Sequence, residues 1–253
     1  MKKNGIWLAA ALLAACAQQP VSFVPQGELS EAQSGAKIHT DLGAGYYERG
    51  QLGIALEELG TALKFDSNYG PAHNMLGLVY MDLREDQLAQ KSFEKAVALN
   101  PLDSDANNNY GWFLCNRQRE RDSIKYFLAA LKNPLYATPD KSYVNAGLCA
   151  LRADNAKDAE EFFNKALVLR PNQPQALYSL AELAYKRSQY HEAKKYLTRY
   201  MQVANPSAAS LWLGVRVERK LGDRNAENSY ALQLRKKYPD AAETQALLSG
   251  KYE

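Results

Sequence analysis

The sequence predicts an all-α fold, a solenoid of about six helix-turn-helix pairs stacked side by side. Three observations predict it. A small residue recurs as Gly43, Gly77, Gly111, Gly147, Ala181 and Gly214, at steps of 34, 34, 36, 34 and 33 residues. A large residue follows each of them by sixteen positions: Leu59, Phe93, Phe127, Phe163, Leu197 and Tyr230. Prolines close several of the units: Pro101, Pro134, Pro171, Pro206 and Pro239. A repeat of this period marks an array of units that cannot bury their apolar faces alone and therefore stack.

Three further columns support the hairpin. Three residues after the small residue come Tyr46, Tyr80, Leu114, Ala150, Ala184 and Val217. Twelve and nineteen after it come Ala55, Ala89, Ser123, Ala159, Ala193 and Ala226, then Ala62, Ala96, Ala130, Ala166, Tyr200 and Gln233. The small residue lets the first helix approach the second closely, and the alanine opposite fills the gap. Proline then ends the second helix because it cannot continue the backbone hydrogen-bond ladder. The pattern resembles the tetratricopeptide repeat, which implies a right-handed superhelix with a concave groove. The units run over about 36–69, 70–103, 104–139, 140–173, 174–206 and 207–240, followed by a C-terminal tail, 241–253. The sixth departs most, with Gln233 where a small residue is expected. Basic residues crowd it: Arg216, Arg219, Lys220, Arg224, Arg235, Lys236 and Lys237. They read as a polar end-cap in preference to a binding patch.

The N-terminus carries a different message. Lys2 and Lys3 precede a short apolar run, Ile6 to Leu13, and small residues lead to Cys16. This is a secretory signal over 1–15, too short to serve as a membrane span. Leu13-Ala14-Ala15-Cys16 resembles the bacterial lipobox, which implies cleavage before Cys16 and acylation of its thiol. Several acyl chains, at about 0.8 kcal/mol per buried methylene, make a lasting anchor. Gram-negative sorting retains lipoproteins at the inner membrane when Asp follows the cysteine. Ala17 therefore points to the outer membrane. Residues 16–35 are polar and contain Pro20, Pro25, Gly27 and Gly35, the composition of a flexible tether.

In the repeat fold that the pattern resembles, the first helix of each unit lines the groove. The stripe at i, i+4, i+7 beside the core column reads Thr40, Ala44, Tyr47; Asn74, Leu78, Met81; Asn108, Trp112, Cys115; Val144, Leu148, Leu151; Tyr178, Glu182, Tyr185. From it we take Tyr47, Asn74, Leu78, Met81, Asn108, Trp112, Leu148 and Leu151 as the partner-binding groove. Leu78, Met81 and Trp112 suit an apolar peptide or amphipathic helix, with Asn74 and Asn108 free to bond its backbone. The stripe lacks the Lys and Arg that grip a terminal carboxylate in some such proteins. Trp112 has two readings, groove contact and packing between units.

Cys115 and Cys149 fall at similar levels on neighbouring first helices. They read as a candidate disulfide in an oxidising envelope, or else as two small buried thiols. His39, His73 and His191 sit in different units with no ligand spacing, so no metal is expected. Gly43-Ala44-Gly45 lies within a helix with no strand before it and is not a nucleotide loop. No nucleophile elbow or Walker loop is present, and neither catalysis, a cofactor nor a small-molecule substrate is expected. With 46% hydrophobic and 23% charged residues, the chain is globular in composition. A net charge of +3 is too mild to argue for nucleic acid.

Particular segments go beyond the generic repeat. Asn108-Asn109-Tyr110-Gly111-Trp112-Phe113-Leu114, Leu211-Trp212-Leu213-Gly214-Val215-Arg216 and Tyr230-Ala231-Leu232-Gln233-Leu234 with Tyr238-Pro239 resemble the PilF/PilW family of type IV pilus biogenesis lipoproteins, the pilotins. The likeness spans the mature chain. It implies a protein anchored at the outer membrane through Cys16, facing the periplasm, whose partner is the pilus secretin or another pilus-assembly protein. Some members act more on pilus stability than on secretin delivery. The alternative is an adaptor for other envelope machinery, such as peptidoglycan enzymes or outer-membrane protein assembly.

Overall fold

A computed structural model describes residues 30–252. Cys16 and the signal segment lie outside the described residues. Thirteen helices follow one another with no strand among the described residues. The first twelve form six hairpins: α1 (Glu31–Glu48) with α2 (Leu52–Phe65), α3 (Gly70–Asp82) with α4 (Asp86–Leu99), and α5 (Ser104–Asn116) with α6 (Glu120–Ala130). Then come α7 (Pro139–Arg152) with α8 (Ala156–Leu169), α9 (Pro174–Lys186) with α10 (Tyr190–Val203), and α11 (Ala208–Leu221) with α12 (Arg224–Lys237). Each hairpin packs on the next, so the architecture is a tetratricopeptide-type solenoid.

The spacing of sixteen works as the columns suggest. A Cβ added to Gly77 would lie 2.6 Å from the ring of Phe93, and one on Gly147 2.6 Å from the ring of Phe163. Gly43 meets Leu59, Gly111 meets Phe127 and Gly214 meets Tyr230 at 2.8 Å in the same way. Ala55, Ala89, Ser123, Ala159 and Ala193 are fully buried on the facing second helices. Three first helices carry a proline in their first turn, Pro71, Pro139 and Pro174, whose fixed φ suits that turn and whose missing N–H costs nothing there. Side-chain caps serve others: Asp103 accepts from the Ala106 N–H, and Ser207 forms a capping box with Ser210.

First helices touch one another across units, α1 with α3, α3 with α5, α5 with α7 and α9 with α11, while second helices make no comparable contact. The first helices therefore follow the shorter, inner path of the curved stack.

Three expectations need correction. The tether does not extend to residue 35, because α1 starts at Glu31. Ser30 accepts from the Gln33 N–H while the Gln33 side chain accepts from the Ser30 N–H, a capping box that fixes the start there. Gly35 is a packing glycine, since a Cβ on it would lie 2.5 Å from the ring of Phe65. The tail 241–253 contains a helix, α13 (Ala242–Leu248), packed on α11 and α12. Finally, the sixth unit is displaced by one residue in its second helix. In units one to five the left-handed turn residue stands seven past the small residue, at Gly50, Arg84, Gln118, Asp154 and Ser188. In unit six it is Gly222, eight past Gly214. The buried positions of α12 are accordingly Glu227, Ala231 and Leu234, and Gln233 is only half-buried.

Candidate partner-binding groove

The stripe on the first helices is only partly available. Tyr47 is half-buried on α1, and its hydroxyl donates to Asp82 on α3 at 2.8 Å. Burial, followed by that bond to a carboxylate, pushes its phenol up to about 12. Leu78 and Met81 are half-buried and pack against the cluster of Phe93, Tyr110 and Phe113. Leu148 and Leu151 likewise pack against the core around Cys149 and Phe163.

Trp112 is half-buried. It packs against the core cluster of units three and four, and one side remains open. It lines an open cavity of about 570 Å³ with Met81, Asp82, Arg84, Asp86, Asn116 and Arg117. This cavity is balanced in charge. Arg117 forms a two-pronged pair with Asp86, at 2.7 and 2.5 Å, which holds that carboxyl below the usual range.

The asparagines are not free to meet a peptide backbone. Asn74 is buried, and its Oδ1 accepts from Asn109 Nδ2 at 3.2 Å. Asn108 Oδ1 accepts from Ser142 Oγ and Asn145 Nδ2, each at 3.0 Å. These amides link the first helices of units two, three and four. Buried amides need partners, and the neighbouring unit is nearer than any ligand. The stripe also fails at Thr40, Cys115 and Val144, which are buried. Cys115 and Cys149 form a disulfide, with the sulfurs 2.04 Å and the Cα atoms 5.8 Å apart.

Cations reach this face from positions the stripe omits. Arg152, the last residue of α7, lies 5.3 Å over the Trp112 ring and donates to Asn116 at 2.8 Å. Arg216 lies 4.8 Å over the ring of Tyr185. Both pairs join an aromatic ring to an arginine of the next unit. The cross-unit step is about one helical turn longer than the repeat in the first case and about half a turn shorter in the second. Column alignment alone therefore misses them. Among the described residues, no group of three or more His, Cys, Asp or Glu is placed to hold a metal. No helix there is long and apolar enough to cross a membrane.

Comparison with known proteins agrees with this architecture. Tetratricopeptide-repeat profiles match residues 70–103, 92–125 and 117–174. The type IV pilus assembly protein PilF of Pseudomonas aeruginosa is 34% identical over 207 residues, 82% of each chain. The chain belongs to the PilF/PilW family of type IV pilus biogenesis proteins. A solved structure of the Pseudomonas aeruginosa PilF superposes with a TM-score of 0.81 at 32% identity, covering 87% of this chain and 99% of that one. A crystal structure of PilW, described as a widely conserved type IV pilus biogenesis factor, gives 0.76 at 32% identity over 84% and 98%. Relatives of this kind are repeat scaffolds, which bind other proteins.

Proposed function

We propose that this family member is a pilotin: an outer-membrane lipoprotein, anchored through Cys16, that holds a secretin segment in its groove and promotes assembly of the secretin and the pili that pass through it. The observation that carries this reading is the match to PilF along four-fifths of both chains. The open face at Met81 and Trp112, with Arg152 behind the indole, supports an apolar segment with a polar flank as the bound element. The lipobox at Cys16 supports the anchor.

Deletion of the gene should remove heat-stable secretin multimers from the outer membrane and abolish surface pili. Intact multimers with normal piliation would sink the proposal. Cys16→Ala should leave the repeats folded by circular dichroism yet release the protein from the outer-membrane fraction. Retention there would refute the anchor.

A further inference from the structure

The basic end of the solenoid is not only a solubilising cap. Arg216, Arg219, Lys220, Lys251, Tyr185 and Tyr252 surround a second open cavity of about 670 Å³ between α9, α11 and the residues after α13. It lies on the same first-helix face as Trp112, three units further along.

Arg216 is held in place by aromatic rings, with its guanidinium 4.8 Å over Tyr185 and 5.7 Å over Trp212. Its Nε is buried and makes no hydrogen bond. Among the described residues, no carboxylate lies within ion-pair distance of Arg216, Lys220 or Lys251. Arg219 lies 3.9 Å over Tyr252 and spends one nitrogen on Glu227 at 2.9 Å. Four cations thus face the cavity, and among the described residues a single carboxylate, Glu227, pairs with one of them. A buried N–H without a partner is costly, and a guanidinium fixed between rings is already ordered for two-pronged recognition of a planar anion.

We propose that this cavity is a subsite for a carboxylate on a peptide segment of a partner protein, held by Arg216 and Arg219, with the neighbouring side chain against Tyr185 and Tyr252. The carboxylate is either a chain terminus or an Asp or Glu side chain. The aromatic walls and the continuity with the groove favour a peptide over a bare phosphate. The subsite does not depend on the partner being a secretin.

The test uses the full-length protein in detergent micelles and fluorescent pentapeptide pools. One pool has a free terminal carboxylate and neutral side chains. A second carries internal Asp and Glu with an amidated end, and a third is neutral and amidated. At least one acidic pool should bind tenfold or more tightly than the neutral pool, and which one identifies the source of the carboxylate. Binding should weaken with salt and shift the Trp212 indole N–H resonance. Arg216→Gln, with helicity unchanged, should lose at least tenfold. Lys251→Ala lies beyond the last helix, leaves the repeats intact, and should weaken binding severalfold. The proposal is overturned if the three pools bind alike or not at all, or if neither variant weakens binding. It is also overturned if inorganic phosphate moves the Trp212 resonance and no peptide does. None of these outcomes requires pili, so failure here is separate from failure of the pilotin reading.

Discussion

Gly147 and Gly45 both lie in first helices, yet alanine should act on them in opposite directions. At Gly147 the new methyl would sit 2.6 Å from the Phe163 ring, which is fully buried and cannot swing away. Overpacking of this kind costs roughly 1–3 kcal/mol. At Gly45 nothing lies within 4 Å, so alanine only removes backbone freedom from the unfolded chain and should stabilise by roughly 0.5–1 kcal/mol. Urea unfolding of the two variants checks the pair. A midpoint that rises for Gly147→Ala would contradict the close-approach role of that column. The same column was the part of the fold most legible in sequence. The contact between a glycine and the ring sixteen residues on lies within one hairpin, and hairpin geometry is fixed by spacing alone.

Elements show where legibility ends. The turn between the helices of each hairpin needs one left-handed residue, and only units one and six place glycine there, as Gly50 and Gly222. Arg84, Gln118, Asp154 and Ser188 take φ between 55° and 62° at the same point. A side chain in that conformation costs of order 1 kcal/mol or more. Arg84→Gly should therefore raise stability by about 1 kcal/mol, with unchanged denaturant slope in a urea titration. A loss instead would mean that Arg84 makes a contact worth more than its strain. The offset of Gly222 was visible in the sequence, and it alone shifts α12 so that Glu227 and Leu234 face inward. Glu227 enters the core because Arg219 and Arg224 both reach it, at 2.9 and 3.3 Å. The groove was less legible. Whether Asn74 or Asn108 faces a ligand or the next helix depends on the rotation between units, which a repeat period does not encode. Gly35 was read as tether for a different reason: its partner Phe65 lies far outside the spacing of sixteen that marks the other packing glycines.

At the scale of the whole molecule, the units communicate only through their shared faces, and tyrosines bridge two of these. Tyr47 of unit one bonds to Asp82 of unit two, and Tyr110 of unit three to Glu94 of unit two at 3.0 Å. Burial and then the carboxylate raise both phenols, that of Tyr47 to about 12 from an ordinary 10.0. A raised pKa in the folded state means that the fold favours the neutral phenol. That contribution is complete below pH 10 and is lost as pH rises through about 12. Stability to urea should hold level from pH 7 to 9 and fall between pH 10 and 12, in step with phenolate absorbance at 295 nm. Tyr47→Phe should flatten part of that fall, and an unchanged profile would show that the bridge carries none of it.

The disulfide acts on the same scale at the middle of the stack. Cys115 and Cys149 join the first helices of units three and four, 34 residues apart in sequence. The asparagine ladder through Asn108, Ser142 and Asn145 spans the same junction. A bridge closing a loop of this length stabilises by about 4 kcal/mol on the chain-entropy view. In a solenoid the loss is local, because each unit contacts only its neighbours and cooperativity passes through every junction in turn. Cys115→Ala with Cys149→Ala should therefore lower the unfolding midpoint and also separate the two halves. Helicity should fall in two steps where the parent falls in one, with Trp112 fluorescence following one step and Trp212 the other. Reducing agent should reproduce this in the parent and leave the double variant unchanged. A single coincident transition at the parent midpoint would show that the amide ladder and apolar packing hold the junction without the bridge.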